Sequence, residues 1–377
     1  MSESLPKIGL LGGGQLGRML LQAAIDLDFE ISCLDPDAEA PCHLMAKHFV
    51  QGSFQDFNTV YSFGQSHDVI SIEIEHVNID ALERLENEGK LVYPQPHILK
   101  MIQDKRLQKQ FFKDHGFPTA DFVLIDSAEE IRDHISFLPA FNKLGKGGYD
   151  GRGVQLIKSE SDISLGFNEP GLLEKAVHFS KELAVIVVRN AKGEIATFPA
   201  VEMVFHPVHN LVEFLVSPAD IPSNIEKNAA KIAVDLIAKL EMVGVLAVEM
   251  FLTPEGEILI NEIAPRPHNS GHWSIEGSVT SQFEQHLRAV LDLPLGETKM
   301  TARWAVMANI LVTENSDLYR PYLHLFARDP ELKIHNYGKE VRPGRKVGHA
   351  TVVGDDLVDL RSRAAHAIDY ISGVVSE

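Results

Sequence analysis

Over the first part of the chain, apolar positions follow two alternating periods. Lys7–Leu11 is a mainly apolar run, Gly12–Gly14 breaks it, and apolar residues then recur at helical spacing from Leu16 to Leu27. Strand-like runs return at Phe29–Leu34, Val69–Ile74 and Leu91–Tyr93, with a helical stretch at Ile79–Asn87. Buried strands separated by amphipathic helices predict a parallel sheet with helices on its faces. Pro94 and Pro96 mark the end of this section. Ile98, Leu99, Ile102, Leu107 and Phe111 then predict one helix that stops near Gly116, with Pro118 beyond it.

From there the pattern changes to short strands and glycine-rich turns, with one helix expected at Ile225–Leu240. A third section starts near Lys299, with strands expected at Trp304–Val312 and Ala350–Val353 and a last helix at Asp356–Ile371. The expected division is 1–96, 97–298 and 299–377, in a mixed α/β and α+β class.

Composition narrows the partners. The chain has 377 residues, 45% hydrophobic and 23% charged, a globular balance for two or three domains. No apolar run reaches the roughly 18–20 residues of a membrane span, and MSESLPK has no secretory-signal pattern. With only Cys33 and Cys42, a cytoplasmic protein is expected. The net charge of -18 argues against a nucleic-acid partner, since phosphate contacts need a basic footprint. Anionic ligands must then meet local basic windows, and Lys100–Lys113 and Lys339–Lys346 stand out.

Three features carry candidate chemistry. Gly12, Gly14 and Gly17 fit G-x-G-x-x-G between strand and helix, followed by Asp35. That turn serves a dinucleotide, serves an anionic substrate at the helix N-terminus, or merely packs. Five glycines between Gly145 and Gly153 predict a hairpin tip, either a lid over phosphates or a surface loop, with Lys143 on the incoming strand. No G-x-x-x-x-G-K-[ST] occurs. If Glu255-Gly256 is a two-residue hairpin loop, Met250 faces Asn261 and Glu249 faces Glu262. Opposed carboxylates with apolar flanks repel unless a divalent cation lies between them. A slipped register or a wet face is the alternative.

Taken together, these pieces resemble the ATP-grasp superfamily and, within it, the N5-carboxyaminoimidazole ribonucleotide synthases. The resemblance rests on GGGQLGRM at Gly12–Met19, EIEHV at Glu73–Val77 and GGYDGRG at Gly147–Gly153. NEIAPRPHNSGHW at Asn261–Trp273 and RPGRKVGH at Arg342–His349 complete it, so it spans nearly the whole chain. It implies an ATP-grasp fold with an N-terminal Rossmann-like pre-ATP-grasp domain and a small C-terminal domain. It also implies ATP- and bicarbonate-dependent carboxylation of 5-aminoimidazole ribonucleotide through carboxyphosphate, in purine biosynthesis.

By the same resemblance, Arg106 and Lys143 contact ATP phosphates, with Gly148, Tyr149, Asp150, Gly151, Arg152 and Gly153 as the lid. Glu174, Lys175, Ala176 and Val177 receive adenine, Glu182 the ribose, and Asn261 stands beside the phosphates. Glu249 and Glu262 hold Mg²⁺, or Mn²⁺ in its place. Gln15, Leu16, Glu75, His76, Lys339, Arg342, Arg345 and Lys346 are implied at the aminoimidazole ribonucleotide. For the last four, a solvated charged turn is the alternative. Arg266, Asn269, Ser270 and His272 line the place of carboxylation, with Lys143 counted among the catalytic groups. His206 and His209 lie where the pattern diverges and are assigned no role. A homodimer is implied as well. The rivals are a formate-dependent glycinamide ribonucleotide transformylase of the same superfamily, a nicotinamide-dependent dehydrogenase and a nucleotide-binding regulator.

Overall fold

In the computed structural model, residues 5–148, 153–205, 212–311, 319–340 and 345–373 are described. The N-terminal section forms a parallel sheet of β1 (Ile8–Leu11), β2 (Ile31–Asp35), β3 (Phe49–Gln51), β4 (Val69–Ile72) and β5 (Leu91–Val92). The strand order is β3-β2-β1-β4-β5. Helix α1 (Gln15–Asp26) packs on one face, and α2 (Phe57–Gln65) and α3 (Ile79–Asn87) belong to a separate core with β1 and β4. The doubly wound expectation holds here because β1 and β4 are buried at every position, as a sheet covered on both faces requires.

The single helix expected after Pro96 is two, α4 (Pro96–Ile102) and α5 (Lys105–Asp114). Asp104 stops the first by capping the second, its carboxylate accepting from Arg106 N–H at 3.0 Å. A four-stranded antiparallel sheet follows: β6 (Phe122–Ile125), β7 (Ala140–Leu144), β8 (Val154–Ile157) and β9 (Gly171–Lys175), in the order β6-β9-β7-β8. The glycine segment joins β7 to β8 as expected.

The largest sheet contains β10 (Lys181–Arg189), β11 (Ile195–Thr197), β12 (Val201–Phe205), β13 (Val212–Ser217), β14 (Gly244–Leu252) and β15 (Ile258–Ala264). It continues through β16 (Trp304–Leu311), β17 (Lys333–Asn336) and β18 (Lys346–Gly354). The order is β15-β14-β10-β12-β13-β16-β18-β17, with β11 on β10, so one sheet crosses residue 298 without a break. Helices α6 (Ser223–Leu240), α9 (Tyr319–Arg328) and α10 (Leu357–Ile371) supply residues to cores on one face. Buried Trp273 belongs to the core of the opposite face, beside α7 (Ser274–Gly277) and α8 (Gln282–Val290). The sequence pattern did not mark α8, yet its His286 joins β4 to β14, with Nε2 2.9 Å from Ser71 Oγ and Nδ1 accepting from Val245 N–H.

No helix among the described residues is long and apolar enough to cross a membrane. Cys33 and Cys42 are buried and unlinked.

Candidate active site

The hairpin β14–β15 carries the two facing carboxylates, reached by a different route from the expected one. The loop has three residues, Pro254–Gly256, not two, so Leu252 pairs with Ile258 and Met250 with Ile260. Gly256 adopts φ +88°, the left-handed position that such a loop reserves for glycine. Continued regularly, this register would set Asn261 against Glu249. A β-bulge absorbs Asn261 instead, and Glu249 faces Glu262.

Lys105 Nζ donates to Glu262 Oε2 at 2.8 Å. That lysine, together with Lys143, holds the Glu262 carboxyl well below its usual range, against the effect of burial. Burial pushes Glu249 the other way, and the Glu262 charge adds to it. The two carboxyls are thus pushed apart, Glu262 being the more acidic member of the pair. A facing pair of hard oxygen donors, half-buried at Glu249 and open to solvent at Glu262, fits a divalent cation of the Mg²⁺ class.

Beside the pair, Lys143 on β7 donates to Glu174 Oε1 at 2.6 Å, and Lys109 on α5 pairs with the other carboxylate oxygen. Glu174 is 2% exposed. Burial would raise its carboxyl, but the two lysines hold it low. Its side chain is therefore paired with two cations in this structure. Lys175 Nζ reaches Phe137 O at 2.9 Å, and the Ala176 N–H donates to Pro139 O. Val177 lies half-buried at the end of this segment.

Arg106 is tied to its own helix cap, donating to Asp104 from Nε at 3.0 Å and Nη2 at 2.7 Å. Lys105, one residue earlier, is the cation that faces the carboxylates. Lys105 and Lys109 both fall in the basic window that the sequence marked, but one-dimensional spacing could not say which members turn inward.

Glu182 shares a face with Glu249, since Glu182 and Ala184 alternate along β10 and Ala184 pairs with Glu249. Burial pushes its carboxyl up to about 7. Gly148 and Gly153 bound the described ends of the glycine loop, and Gly153 O accepts from Leu144 N–H at 2.9 Å. Tyr149, Asp150, Gly151, Arg152, His206, His209 and Arg342 lie outside the described residues.

On the substrate side, the first glycine turn is already filled by protein carboxylates. Asp35 accepts from Gly13 N–H at 2.7 Å, and Glu73 accepts from Gly14 and Gly17 N–H at 2.6 and 2.8 Å. A Cβ at Gly14 would lie 2.4 Å from Glu73 Oε1. The amides that would cradle a dinucleotide pyrophosphate are taken, which removes the nicotinamide reading. Glu73 belongs to the EIEHV string but drew no role from sequence.

Gln15 Oε1 accepts from Lys339 Nζ, so the start of α1 and the C-terminal basic cluster do meet. Leu16 is buried in the α1 core. Glu75 Oε1 lies 2.8 Å from Arg266 Nε, and His76 is half-buried beside it in sequence. Arg345 turns back to Glu340 O at 3.2 Å. Lys346 is close enough to oppose the upward shift of Glu249 and to depress His268.

His268, not His272, is the histidine at the carboxylates. Its Nε2 lies 3.5 Å from Glu249 Oε1, and its Nδ1 lies 2.8 Å from Ser270 Oγ. Burial, then Arg266 and Lys346, push it down to about 3, so the ring is neutral. His272 is fully buried behind the loop, with Nδ1 3.1 Å from Gln282 Nε2. The turn Asn269–Gly271 separates the two histidines and sends them to different sides. Asn269 exchanges amide hydrogen bonds with Asn309 at 2.9 and 3.1 Å.

Comparison with known proteins decides between the remaining superfamily readings. The ribonucleotide synthetase preATP-grasp domain family matches residues 5–103, the ATP-grasp domain family 110–283, and the phosphoribosylaminoimidazole carboxylase C-terminal domain family 305–363. The N5-carboxyaminoimidazole ribonucleotide synthase of Bacillus subtilis (strain 168) is 38% identical over 91% of this chain and 90% of its own length. The chain belongs to the N5-carboxyaminoimidazole ribonucleotide synthase family.

The solved structure of the Thermotoga maritima synthetase has a TM-score of 0.86 at 39% identity, covering 96% of this chain and 98% of that one. A family structure from Aspergillus clavatus, in complex with ADP and 5-aminoimidazole ribonucleotide, has a TM-score of 0.88 at 32% identity, covering 98% and 99%. The chain also spans 95% of itself and 66% of the chloroplastic phosphoribosylaminoimidazole carboxylase of Vigna aconitifolia, at 39% identity. This family membership leaves the formate-using rival without support. The pre-ATP-grasp match ends beside Asp104, where the helix break lies, and the C-terminal match covers most of β16–β18.

Proposed function

We propose that the chain carboxylates 5-aminoimidazole ribonucleotide with ATP and bicarbonate, as an ATP-dependent ligase of purine biosynthesis, with Glu249 and Glu262 holding Mg²⁺. The observation that carries this reading is the meeting of the first and middle sections at one site. Glu262 with Lys105, Glu174 with Lys143, and Glu75 with Arg266 bring an acidic pair, a phosphate-binding lysine and the substrate turn together.

In this reading bicarbonate attacks the γ-phosphate of ATP to give carboxyphosphate and ADP. Lys143 and Lys105 offset the charge that spreads over the transferring phosphoryl group. Bound at the carboxylates, Mg²⁺, or Mn²⁺ in its place, supplies charge neutralisation of the nucleotide phosphates. Glu182 receives the ribose hydroxyls, and the carbonyl of Ala176 and the backbone of Val177 meet the adenine. Residues 148–153 cover the phosphates and exclude water, which carboxyphosphate requires.

Carboxyphosphate then splits into inorganic phosphate and CO₂ beside the 5-amino group, which attacks the CO₂ and gives up a proton to the phosphate, leaving the carbamate. Arg266, neutral His268 and Lys346 surround that step, and Asn269 and Ser270 hold the loop in place. Gln15, Leu16, Glu75, His76, Lys339, Arg342 and Arg345 are assigned to the ribonucleotide. We place the enzyme in the cytoplasm as a homodimer. Gel filtration with light scattering tests the dimer.

The deciding experiment is ADP release by the purified chain with Mg²⁺-ATP and bicarbonate, with and without 5-aminoimidazole ribonucleotide. Strong stimulation is expected. Folded, ATP-binding protein that shows no stimulation would overturn the substrate.

A further inference from the structure

A row of polar side chains crosses three strands behind the site. Asn309 on β16 pairs with His349 on β18, which pairs in turn with His335 on β17. Each meets a residue of the 269–276 segment. Asn309 binds Asn269, the His349 ring lies 5.1 Å from that of His272, and His335 Nε2 lies 2.7 Å from Glu276 Oε1. Tyr337 OH lies 2.8 Å from His349 Nδ1, and both residues are fully buried. The mechanism above uses none of His335, Tyr337 and His349.

The strand β18 is irregular at one place. Ile310 pairs with Gly348 but Leu311 with Lys346, so Val347 is an extra residue in a bulge. Side chains three apart on a regular strand point to opposite faces. The bulge cancels that alternation and sets Lys346 on the same face as His349 and Asn309. Val347 turns instead into the core of the other face.

Tyr337 grips this bulge twice. Its N–H donates to Val347 O at 2.8 Å, and its hydroxyl meets His349 two residues on. Its ring packs in the core with Leu16 and Leu20 of α1, which anchors the grip to the N-terminal domain. Gly348 is forced by the same closeness, since a Cβ there would lie 2.6 Å from His335 O.

We propose that Tyr337 and His349 are positioning residues whose hydrogen bond pins the bulge at Val347 and so holds Lys346 on the face that carries Glu249 and Glu262. The inference rests on the reading of Lys346 as a group that acts on the substrate side. It deepens that reading by naming what aims the lysine.

A metal ion is the competing account, because Glu276, His335 and His349 each place a donor atom within 4.8 Å of the others. The His335 and His349 rings stack at 4.5 Å with planes 16° apart. A metal binds a ring nitrogen in the plane of the ring, so two nearly parallel rings cannot share one ion as they stand. The geometry favours a hydrogen-bonded row.

The test is a double-mutant cycle of Tyr337→Phe with Lys346→Ala, with His349→Gln as the second probe of the row and thermal melts of every variant. Tyr337→Phe removes only the hydroxyl. It is expected to lower ribonucleotide consumed per ADP formed by about tenfold, the scale of a small misplacement of a reacting group. KM for ATP should stay unchanged, and amide exchange at Val347–His349 should quicken. In the Lys346→Ala background the same change should add almost nothing, because both act through one group.

Additive losses, or full coupling in Tyr337→Phe and His349→Gln, overturn the proposal. Stoichiometric zinc in the purified protein that is lost in His349→Gln also overturns it, in favour of a metal site. The unaltered protein separates the two levels. If the ribonucleotide fails to stimulate its ADP release, the proposed function falls and the inference with it. If stimulation is normal and the variants stay coupled, the inference alone falls.

Discussion

Two β-bulges shape the site, one in β15 and one in β18, and each solves the same geometric problem. At Asn261 the bulge sets Glu262 opposite Glu249, and at Val347 it sets Lys346 on that same face. The first is clamped from outside its own hairpin, and the second from the connection within it. The first is held by the segment before β6, where Ile260 N–H donates to Pro118 O at 2.7 Å and Thr119 Oγ1 donates to Ile260 O at 2.8 Å. The second is held by Tyr337.

In the proposed reaction they differ in what they deliver: an anion at the phosphates in one case, a cation toward the substrate in the other. A bulge re-aims one side chain without disturbing the strand's far end. A single rigid sheet can therefore present opposite charges for two successive half-reactions.

The largest way to break this comparison is Glu262→Gln. It should cost about 10³-fold in ADP release, the loss seen when transition-state charge stabilisation is removed. ADP release is assayed with and without ribonucleotide, and both rates should fall together. Lys346→Ala should cost about 10²-fold in ribonucleotide consumption while leaving much of the ATP turnover uncoupled. Product-to-ADP ratios check this, and a common loss of both would erase the distinction between the two bulges.

A site on the same face that needs no bulge sharpens the contrast. Glu182 sits on the regular strand β10, where burial raises its carboxyl from near 4.5 to about 7. Between those values the folded state holds a proton that the unfolded chain has lost, so this group's contribution to stability falls as pH rises from 4.5 to 7. Glu182→Gln should remove that fall, gaining about 1–2 kcal/mol relative to the parent at pH 8 compared with pH 4.5, after allowance for partial exposure. Melts across pH measure it, and parallel curves would refute it. The smallest effect is expected from Thr119→Val, which loosens the clamp on the first bulge and should cost about 1 kcal/mol in denaturant melts.

Much of the architecture was legible along the chain. The βαβ order of the first section, the glycine hairpin and the helices Ile79–Asn87 and Ser223–Leu240 follow from periodicity and punctuation, which are local. The facing carboxylates were found by counting, although a three-residue loop and a bulge together stood in for the assumed two-residue loop. The bulge had a sequence sign. Ile258 and Ile260 keep the two-residue period, but Ile263 breaks it, and all three lie in one core.

Other contacts could not be chosen along the chain, because two candidates stand close together in sequence. Lys105 rather than Arg106 faces Glu262, because Asp104 captures the arginine. His268 rather than His272 meets Glu249, because a short turn separates them.

By itself, then, the sequence determined most element types of the first section, the glycine loop, the acidic pair and the strings that mark the family, since those depend on period, turn chemistry and residue identity. Only the tertiary structure decided which cations turn inward, that Glu73 fills the first glycine turn, and that Tyr337 reaches Val347. Apart from the Tyr337–Val347 contact, made within one hairpin, those outcomes depend on contacts between segments far apart in the chain, where closeness is set by packing of the whole fold rather than by any local preference.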